Sequence, residues 1–170
     1  MTPTVLGLNH AVLWVGDPPA SAHFYADVLG LEITSSSELA AFLRSPLTGN
    51  DHDLAVMRAE HTRPAPARQV GLYHLAWEVP TLADMVGMRD RLVARDALVG
   101  QSDHQVSKSL YAHDPDGNEF EVMWQVPTDL PADPAAEPET RRLDIEAEIE
   151  RYGADTLTRT LRLLGSDRRS

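Results

Sequence analysis

The sequence predicts an α+β fold in which two modules, each with the element order β-α-β-β-β, pair into one curved mixed sheet and precede a helical C-terminal tail. The first observation is an internal repeat, because GLNHAVLWV, from Gly7 to Val15, aligns without gaps to GLYHLAWEV, from Gly71 to Val79. The second observation is that a proline-containing turn and a helical pattern follow each of these strand-like segments. Since self-similarity marks a duplicated structural unit, both halves are expected to share one topology.

The first module is predicted over about residues 5–60. After its first strand, PPASAHFYADVLGLE has helical periodicity, and Gly30 is a typical helix stop. The apolar stripe of this helix comprises Ala22, Tyr25, Val28 and Leu29. Three strand-like segments complete the module, at about residues 31–35, 40–44 and 53–58.

The second module is predicted over about residues 70–127, after a connector, HTRPAPARQ, whose prolines favour irregular structure. Its helix is predicted in TLADMVGMRDRLVARDA, with Thr81 or Asp84 as the N-cap. The residues predicted to face inward from this helix are Met85, Met88, Leu92 and Val93. Strands are expected at about residues 97–100, 107–111 and 119–125.

Residues 128–170 are predicted to form a Pro/Ala/acid linker, TDLPADPAAEPET, followed by one or two C-terminal helices. These helices are expected to dock on the domain, residues 1–127, or on a second subunit. A lid over a functional site is the alternative interpretation. The apolar stripe that would make the contact comprises Leu143, Ile145, Ile149, Tyr152, Leu157, Leu161, Leu163 and Leu164.

The composition argues against several classes of function. A net charge of −11 disfavours nucleic acid as a partner, because a protein that binds phosphates needs a basic face. The absence of cysteine excludes disulfides, thiolate metal sites and a cysteine nucleophile. No apolar run approaches the length of a membrane span, and MTPTVLGLNH does not resemble a secretory leader. A cytoplasmic protein with a small-molecule partner and no membrane association is therefore expected.

Candidate metal ligands emerge when equivalent strand positions in the two halves of the repeat are compared. His10 and His74 are each the fourth residue of their strand, whereas Glu121 in EFEVMW corresponds to Ala55 in DLAVMR. Strand periodicity places both histidines and Glu121 on the face opposite the one that packs under the helices. A carboxylate on such a face is unfavourable unless it is paired or binds a metal. Two imidazoles and one carboxylate are the ligands of non-haem Fe(II) sites, which leave positions open for substrate and O2. Mn(II) or Zn(II) binds the same donors.

The stretch HQVSKSLYAHDPDGNEFE resembles the signature of the type I extradiol (catechol meta-cleaving) dioxygenases. These enzymes belong to the vicinal oxygen chelate (glyoxalase/bleomycin resistance/dioxygenase) superfamily, whose members are built from paired βαβββ modules. Ser102 departs from the signature, which prefers another residue two places before its histidine. The resemblance extends over about residues 6–126, and the signature residues are His104, Leu110, Tyr111, Asp114, Pro115, Gly117 and Glu121.

The resemblance implies a single-domain Fe(II)-dependent dioxygenase that acts on a catechol-type substrate with O2 and forms a homo-oligomer, a dimer or larger. The two repeat histidines and Glu121 would hold the metal. By position, His104 would contact a substrate oxygen and Tyr111 would hydrogen-bond the bound catecholate. His52 resembles the acid–base histidine of the family. The interval from His52 to the second metal histidine is longer than usual, so His61 is the alternative.

Two other functions are compatible with the same superfamily. Glyoxalase-like isomerases and lyases use a fourth protein ligand from the last strand of the first module, where this chain has Ala55. Drug-sequestering proteins of the superfamily bind their ligands between subunits without a metal. Ala55 argues against the first alternative, and the predicted metal residues and the tyrosine signature count against the second.

Overall fold

The computed structural model describes residues 2, 4–61, 70–130 and 140–166. The predicted connector between the modules and most of the proline-rich linker lie outside these residues. The chain divides into two compact units, one formed by Met1–Gln69 with Asp114–Gly117, the other by Val70–His113 with Asn118–Ser170. Among the described residues, none of the helices could span a bilayer, and the longest has 13 residues.

The first unit has the predicted β-α-β-β-β order. Its elements are β1 (Ala11–Val15), α1 (Pro18–Leu29), β2 (Glu32–Ser36), β3 (Ala40–Arg44) and β4 (Leu54–Arg58). The strands form a sheet in the order β1-β4-β3-β2, in which β1 and β4 are parallel. Asp17 caps α1 by accepting a hydrogen bond from the backbone N–H of Ala20. Gly30 ends the helix, as predicted, in the left-handed conformation at φ 69°.

The second unit repeats this order and adds the C-terminal segment. Its elements are β5 (Leu75–Glu78), α2 (Leu82–Ala94), β6 (Leu98–Asp103), β7 (Ser107–His113), β8 (Glu119–Gln125), β9 (Arg141–Arg142), α3 (Ile145–Tyr152) and α4 (Arg159–Ser166). The strand order is β5-β8-β7-β6-β9. Hydrogen bonding thus places the strands in two sheets, one in each unit, and not in the single sheet predicted from the sequence. In each repeat the first strand is hydrogen-bonded to the last strand of its own module.

The registers of the two sheets confirm the repeat. Val12 lies opposite Ala55 in the first sheet, and Ala76 lies opposite Glu121 in the second. Val12 aligns with Ala76 in the sequence repeat, so Ala55 and Glu121 occupy equivalent places. The alternation predicted for β8 is also present, because Phe120, Val122 and Trp124 are fully buried on the face opposite Glu121.

The helix α2 confirms the predicted cap and corrects one predicted core residue. Thr81, and not Asp84, is the N-cap, and its side chain accepts a hydrogen bond from the backbone N–H of Asp84. Met85 and Leu92 are fully buried, whereas Val93 is 60% exposed. Residues in an α-helix are about 100° apart around the axis, so a residue next to the buried Leu92 lies outside a narrow buried stripe.

The C-terminal tail docks on the second unit, as predicted. The strand β9 extends the sheet beside β6, and Trp124 in β8 donates its indole N–H to the carbonyl of Thr156 at 3.1 Å. In the predicted stripe, Leu143, Ile145 and Tyr152 are buried, but Leu157, Leu161, Leu163 and Leu164 are exposed. The first part of the stripe is therefore buried among the described residues, whereas the second part stays exposed.

A buried ionic cluster joins the tail to the sheet. The side chain of Lys108 in β7 is fully buried, and its Nζ lies 2.5 Å from Asp103 Oδ1 and 3.0 Å from Glu148 Oε2. Lys108 Nζ also lies 5.9 Å from the centre of the Tyr152 ring. A buried ammonium requires such compensation, since removing it from water is costly. The two carboxylates come from β6 and α3, so the cluster fixes α3 against the sheet.

The turn between β7 and β8 belongs to the first unit, where two carboxylates hold it. Asp114 accepts a hydrogen bond from the buried Tyr25 hydroxyl at 3.0 Å, and Asp116 accepts one from the backbone N–H of Gly16 at 3.1 Å. Gly117 adopts φ 82°, a left-handed conformation that favours glycine. Three residues of the dioxygenase-like signature, Asp114, Pro115 and Gly117, therefore lie in a structural turn.

Replacing Tyr25 with phenylalanine is expected to lower the free energy of unfolding by about 1–3 kcal/mol at neutral pH, because it removes a buried hydrogen bond to a carboxylate. Burial raises the pKa of Tyr25 well above its ordinary value, and the neighbouring Asp114 and Asp116 raise it further. Above pH 10 the unfolded chain loses this phenolic proton while the folded chain keeps it, so the tyrosine's contribution is complete below pH 10 and declines above it.

Urea denaturation of both proteins at pH 8 and pH 11 measures this effect. The stability difference between wild type and Tyr25→Phe should narrow at pH 11. A difference that stays constant between the two pH values would contradict the assignment of this proton to Tyr25.

Candidate active site

In the first unit, the imidazole rings of His10 and His52 pack against each other. Their centroids are 4.5 Å apart, and the edge of Phe42 approaches the His52 ring at 5.4 Å. The two histidines line a shallow pocket of about 280 Å³ together with Asn9, Gly49, Asn50 and Asp51. The predicted metal ligand His10 and the predicted acid–base residue His52 are therefore neighbours.

The loop before β4 is ordered by one carboxylate. Asp53, which is buried, accepts hydrogen bonds from the backbone N–H of Ser45, the hydroxyl of Thr48 and the amide of Asn50. Asn50 also donates to the backbone carbonyl of Asn9 at 3.2 Å. This network connects the segment before β1 to the loop before β4, which explains why His10 and His52 meet.

In the second unit, His74 and Glu121 are in direct contact. His74 Nε2 lies 3.1 Å from Glu121 Oε2, although Glu121 is only 8% exposed. His74 precedes β5, and the parallel pairing of β5 with β8 places Ala76 opposite Glu121. The register therefore brings the histidine beside the carboxylate on one face of the sheet.

Tyr111 and His104 are hydrogen-bonded next to this pair. Tyr111 lies directly opposite Glu121 in the pairing of β7 with β8, and its ring centroid is 5.8 Å from that of His74. His104 Nε2 is 2.8 Å from the Tyr111 hydroxyl. The second unit thus brings together four of the predicted site residues, namely His74, His104, Tyr111 and Glu121.

The phenol of Tyr111 is held in its protonated form by its surroundings. Burial raises the pKa of Tyr111, and Glu121 raises it further through its charge and by accepting a hydrogen bond from the phenol. Ser109 lowers the pKa of Tyr111 through a hydrogen bond, but burial and Glu121 outweigh it.

Two donors of the second unit, His74 and Glu121, have the spacing expected of neighbouring ligands on a divalent metal. A ligand nitrogen and a ligand oxygen each lie about 2.0–2.2 Å from such an ion, so two ligands at a right angle are about 3 Å apart, close to the 3.1 Å between His74 and Glu121. His74 Nδ1 is buried, and the described residues offer it no hydrogen-bond partner. Across the described residues, no group of three or more His, Asp or Glu side chains is close enough to hold a metal. His10 belongs to the other unit, and the three-ligand site stays a prediction.

The structure adds two residues that the sequence did not single out. Glu119 Oε1 lies 3.6 Å from His74 Nδ1, and its other oxygen lies 3.6 Å from His113 Nε2. Thr140 in the tail lies 3.1 Å from His104 Nδ1 through its hydroxyl. Glu119 could have been predicted from the sequence, because it shares a strand face with Glu121. No pattern in the sequence predicts the role of Thr140.

The alternative acid–base residue His61 is exposed, with its Nδ1 at 2.6 Å from the carbonyl of Glu60.

The fold and the matched sequence define a family. Residues 7–122 match the Glyoxalase/Bleomycin resistance protein/Dioxygenase superfamily, and the chain belongs to this superfamily. This confirms the resemblance inferred from the sequence and the α+β fold class that it implies.

Two curated relatives have related names. The chain is 33% identical over 123 residues to biphenyl-2,3-diol 1,2-dioxygenase 3 of Rhodococcus globerulus, which covers 68% of this chain and 62% of the relative. It is 29% identical over 123 residues to catechol-2,3-dioxygenase of Bacillus subtilis strain 168, which covers 71% of this chain and 42% of the relative. The chain therefore spans about half the length of these relatives.

A solved structure of a glyoxylase/bleomycin resistance protein/dioxygenase domain from Frankia sp. EAN1pec has the same fold. It superimposes with a TM-score of 0.60 at 20% identity and covers 72% of this chain and 100% of that chain. At this identity the likeness supports the fold alone.

Proposed function

We propose that this protein is an Fe(II)-dependent extradiol dioxygenase that inserts both atoms of O2 into a catechol-type substrate. The observation that carries the proposal is the contact of His74 with Glu121 beside the hydrogen-bonded pair of Tyr111 and His104. The names of the two curated relatives support the same chemistry. In the proposed reaction the ring bond next to the diol breaks, and both oxygen atoms stay in the ring-opened product. No external reductant is required.

The proposed residue roles follow from donor chemistry. His10, His74 and Glu121 would hold the metal. Bound Fe(II) would act as a Lewis acid that orients the diol and O2 and stabilises the charge on them. Tyr111 and His104 would orient the bound catecholate. The 2.8 Å hydrogen bond between their side chains supports this shared role.

His52 is proposed to take the second phenolic proton of the substrate and later return it. A histidine suits this role because its ordinary pKa lies near neutral pH. His52 is preferred over His61 because its ring packs on that of His10, which is a proposed ligand.

The test is oxygen consumption by Fe(II)-loaded protein with a panel of simple, alkyl, aryl and amino-acid catechols. We expect O2 uptake together with a yellow ring-opened product that absorbs in the near-ultraviolet or visible. No uptake across the panel by protein that retains iron would refute ring cleavage.

Metal content separates this proposal from its two alternatives. A glyoxalase-like enzyme is expected to prefer Zn(II) or Ni(II), and its fourth ligand would have to come from the position that Ala55 occupies opposite Val12. A drug-sequestering protein should bind no iron. Retention of Fe(II) with catechol-dependent O2 uptake would exclude both alternatives.

A further inference from the structure

The C-terminal tail reaches a residue of the candidate active site through Thr140. The Thr140 hydroxyl lies 3.1 Å from His104 Nδ1, while His104 Nε2 lies 2.8 Å from the Tyr111 hydroxyl. Both nitrogens of the His104 ring therefore have a partner, one from the tail and one from β7.

The sheet register accounts for this contact. In the antiparallel pairing of β6 with β9, Ser102 lies opposite Arg142 and Asp103 opposite Arg141. The next pair in the same register is His104 with Thr140. Side chains of directly opposed residues in an antiparallel pair are neighbours, so the contact follows from strand pairing.

The register is itself fixed by buried groups. Asp103, the last residue of β6, binds the buried Lys108, and Lys108 also binds Glu148 in α3 at 3.0 Å. The segment that follows Thr140 is thus held by the strand pairing of β9 and by the helix α3. Thr140 is exposed, but its position relative to His104 is determined by the buried cluster.

The donor and acceptor roles in the series Thr140, His104 and Tyr111 depend on Glu121, which can accept the hydrogen of the Tyr111 hydroxyl. Glu121 lies directly opposite Tyr111 in the strand pairing, and with the Tyr111 hydrogen directed to that carboxylate, the phenolic oxygen is free to accept from His104 Nε2–H at 2.8 Å. A neutral histidine protonated on Nε2 carries an unprotonated Nδ1, which can only accept. In that tautomer the Thr140 hydroxyl, 3.1 Å away, is placed to donate to Nδ1.

We propose that Thr140 is a positioning residue that donates a hydrogen bond to His104 Nδ1 and so fixes its ring with the Nε2–H directed to Tyr111. This inference rests on the proposed function for its catalytic consequence, but the hydrogen bond itself does not depend on it. Orienting a site histidine through its second nitrogen is a common device for selecting its tautomer.

The test compares full-length Thr140→Val with Thr140→Ser by 15N NMR of the histidine side chains, without metal and with Zn(II). Valine keeps the shape of threonine but has no hydroxyl, whereas serine keeps the hydroxyl. Thr128→Val, at another exposed threonine, is the matched control. The wild type should show His104 protonated on Nε2, and only Thr140→Val should shift the Nδ1 resonance.

The same variants are then loaded with Fe(II) and assayed with a catechol. We expect kcat to fall about three- to tenfold in Thr140→Val, as for the loss of one hydrogen bond, and to be retained in Thr140→Ser and Thr128→Val. An unchanged Nδ1 resonance in active Thr140→Val, or a proton on Nδ1 in the wild type, would overturn the positioning role. Absence of ring cleavage by every variant and by the wild type would refute the proposed function instead.

Discussion

Replacing His74 with alanine should yield a folded protein that retains no iron and cleaves no catechol. The side chain supplies the only imidazole that contacts Glu121 among the described residues, at 3.1 Å. Loss of a group that merely orients a ligand typically costs 10- to 100-fold in metal affinity, and loss of a ligand should cost more. Iron content after anaerobic loading and desalting, with circular dichroism to verify the fold, measures the effect.

The control for this substitution is His113→Ala. His113 is exposed and lies 3.6 Å from Glu119 on the same sheet, but it is not a proposed ligand. Its removal should leave iron content and activity near the wild-type values. If His74→Ala held as much iron as His113→Ala, His74 would not belong to the ligand set.

Replacing Lys108 with methionine should lower the free energy of unfolding by about 3–5 kcal/mol, which is the usual cost of removing one partner from a buried ion pair. The substitution fills a similar volume but leaves Asp103 and Glu148, both buried, without their shared cation. Urea denaturation at neutral pH measures the loss. The variant Lys108→Met/Asp103→Asn/Glu148→Gln should recover much of it, because neutral side chains replace the uncompensated charges.

The matched control is Arg89→Met, which breaks the pair of Arg89 with Glu146 at 2.9 Å on the outside of the same unit. Exposed ion pairs contribute little to stability, so this change should leave the denaturation midpoint nearly unchanged. Equal losses in the Lys108 and Arg89 variants would show that the buried cluster has no special role.

Much of the fold was predictable because the repeat and the strand period are both visible in the sequence. Aligning the two halves placed Glu121 against Ala55, and the sheet registers place these residues opposite Ala76 and Val12. Period-two alternation then assigned Glu121 to the face that carries His74. The prediction that Val93 faces inward was wrong for a different reason. Val93 is apolar and follows the buried Leu92, so its residue type alone does not distinguish it from a core residue.

The contacts made by the tail were not predictable from local patterns. Thr140 reaches His104 only because β9 pairs with β6 across a proline-rich stretch, and no periodicity marks a two-residue strand. Lys108 stands between Ser107 and Ser109, so the local sequence resembles that of a solvated strand lysine. Its burial depends on α3, which is distant in sequence.

The pairing of β9 with β6 has a practical consequence for protein production. A polypeptide ending near residue 127 would look complete from the βαβββ pattern, yet it would leave the β6 backbone open to pairing with other chains. It would also remove the carbonyl that the Trp124 indole binds. Recombinant versions intended for crystallisation or substrate screening should therefore extend past Thr156, since a product that ends before β9 is expected to self-associate into insoluble material.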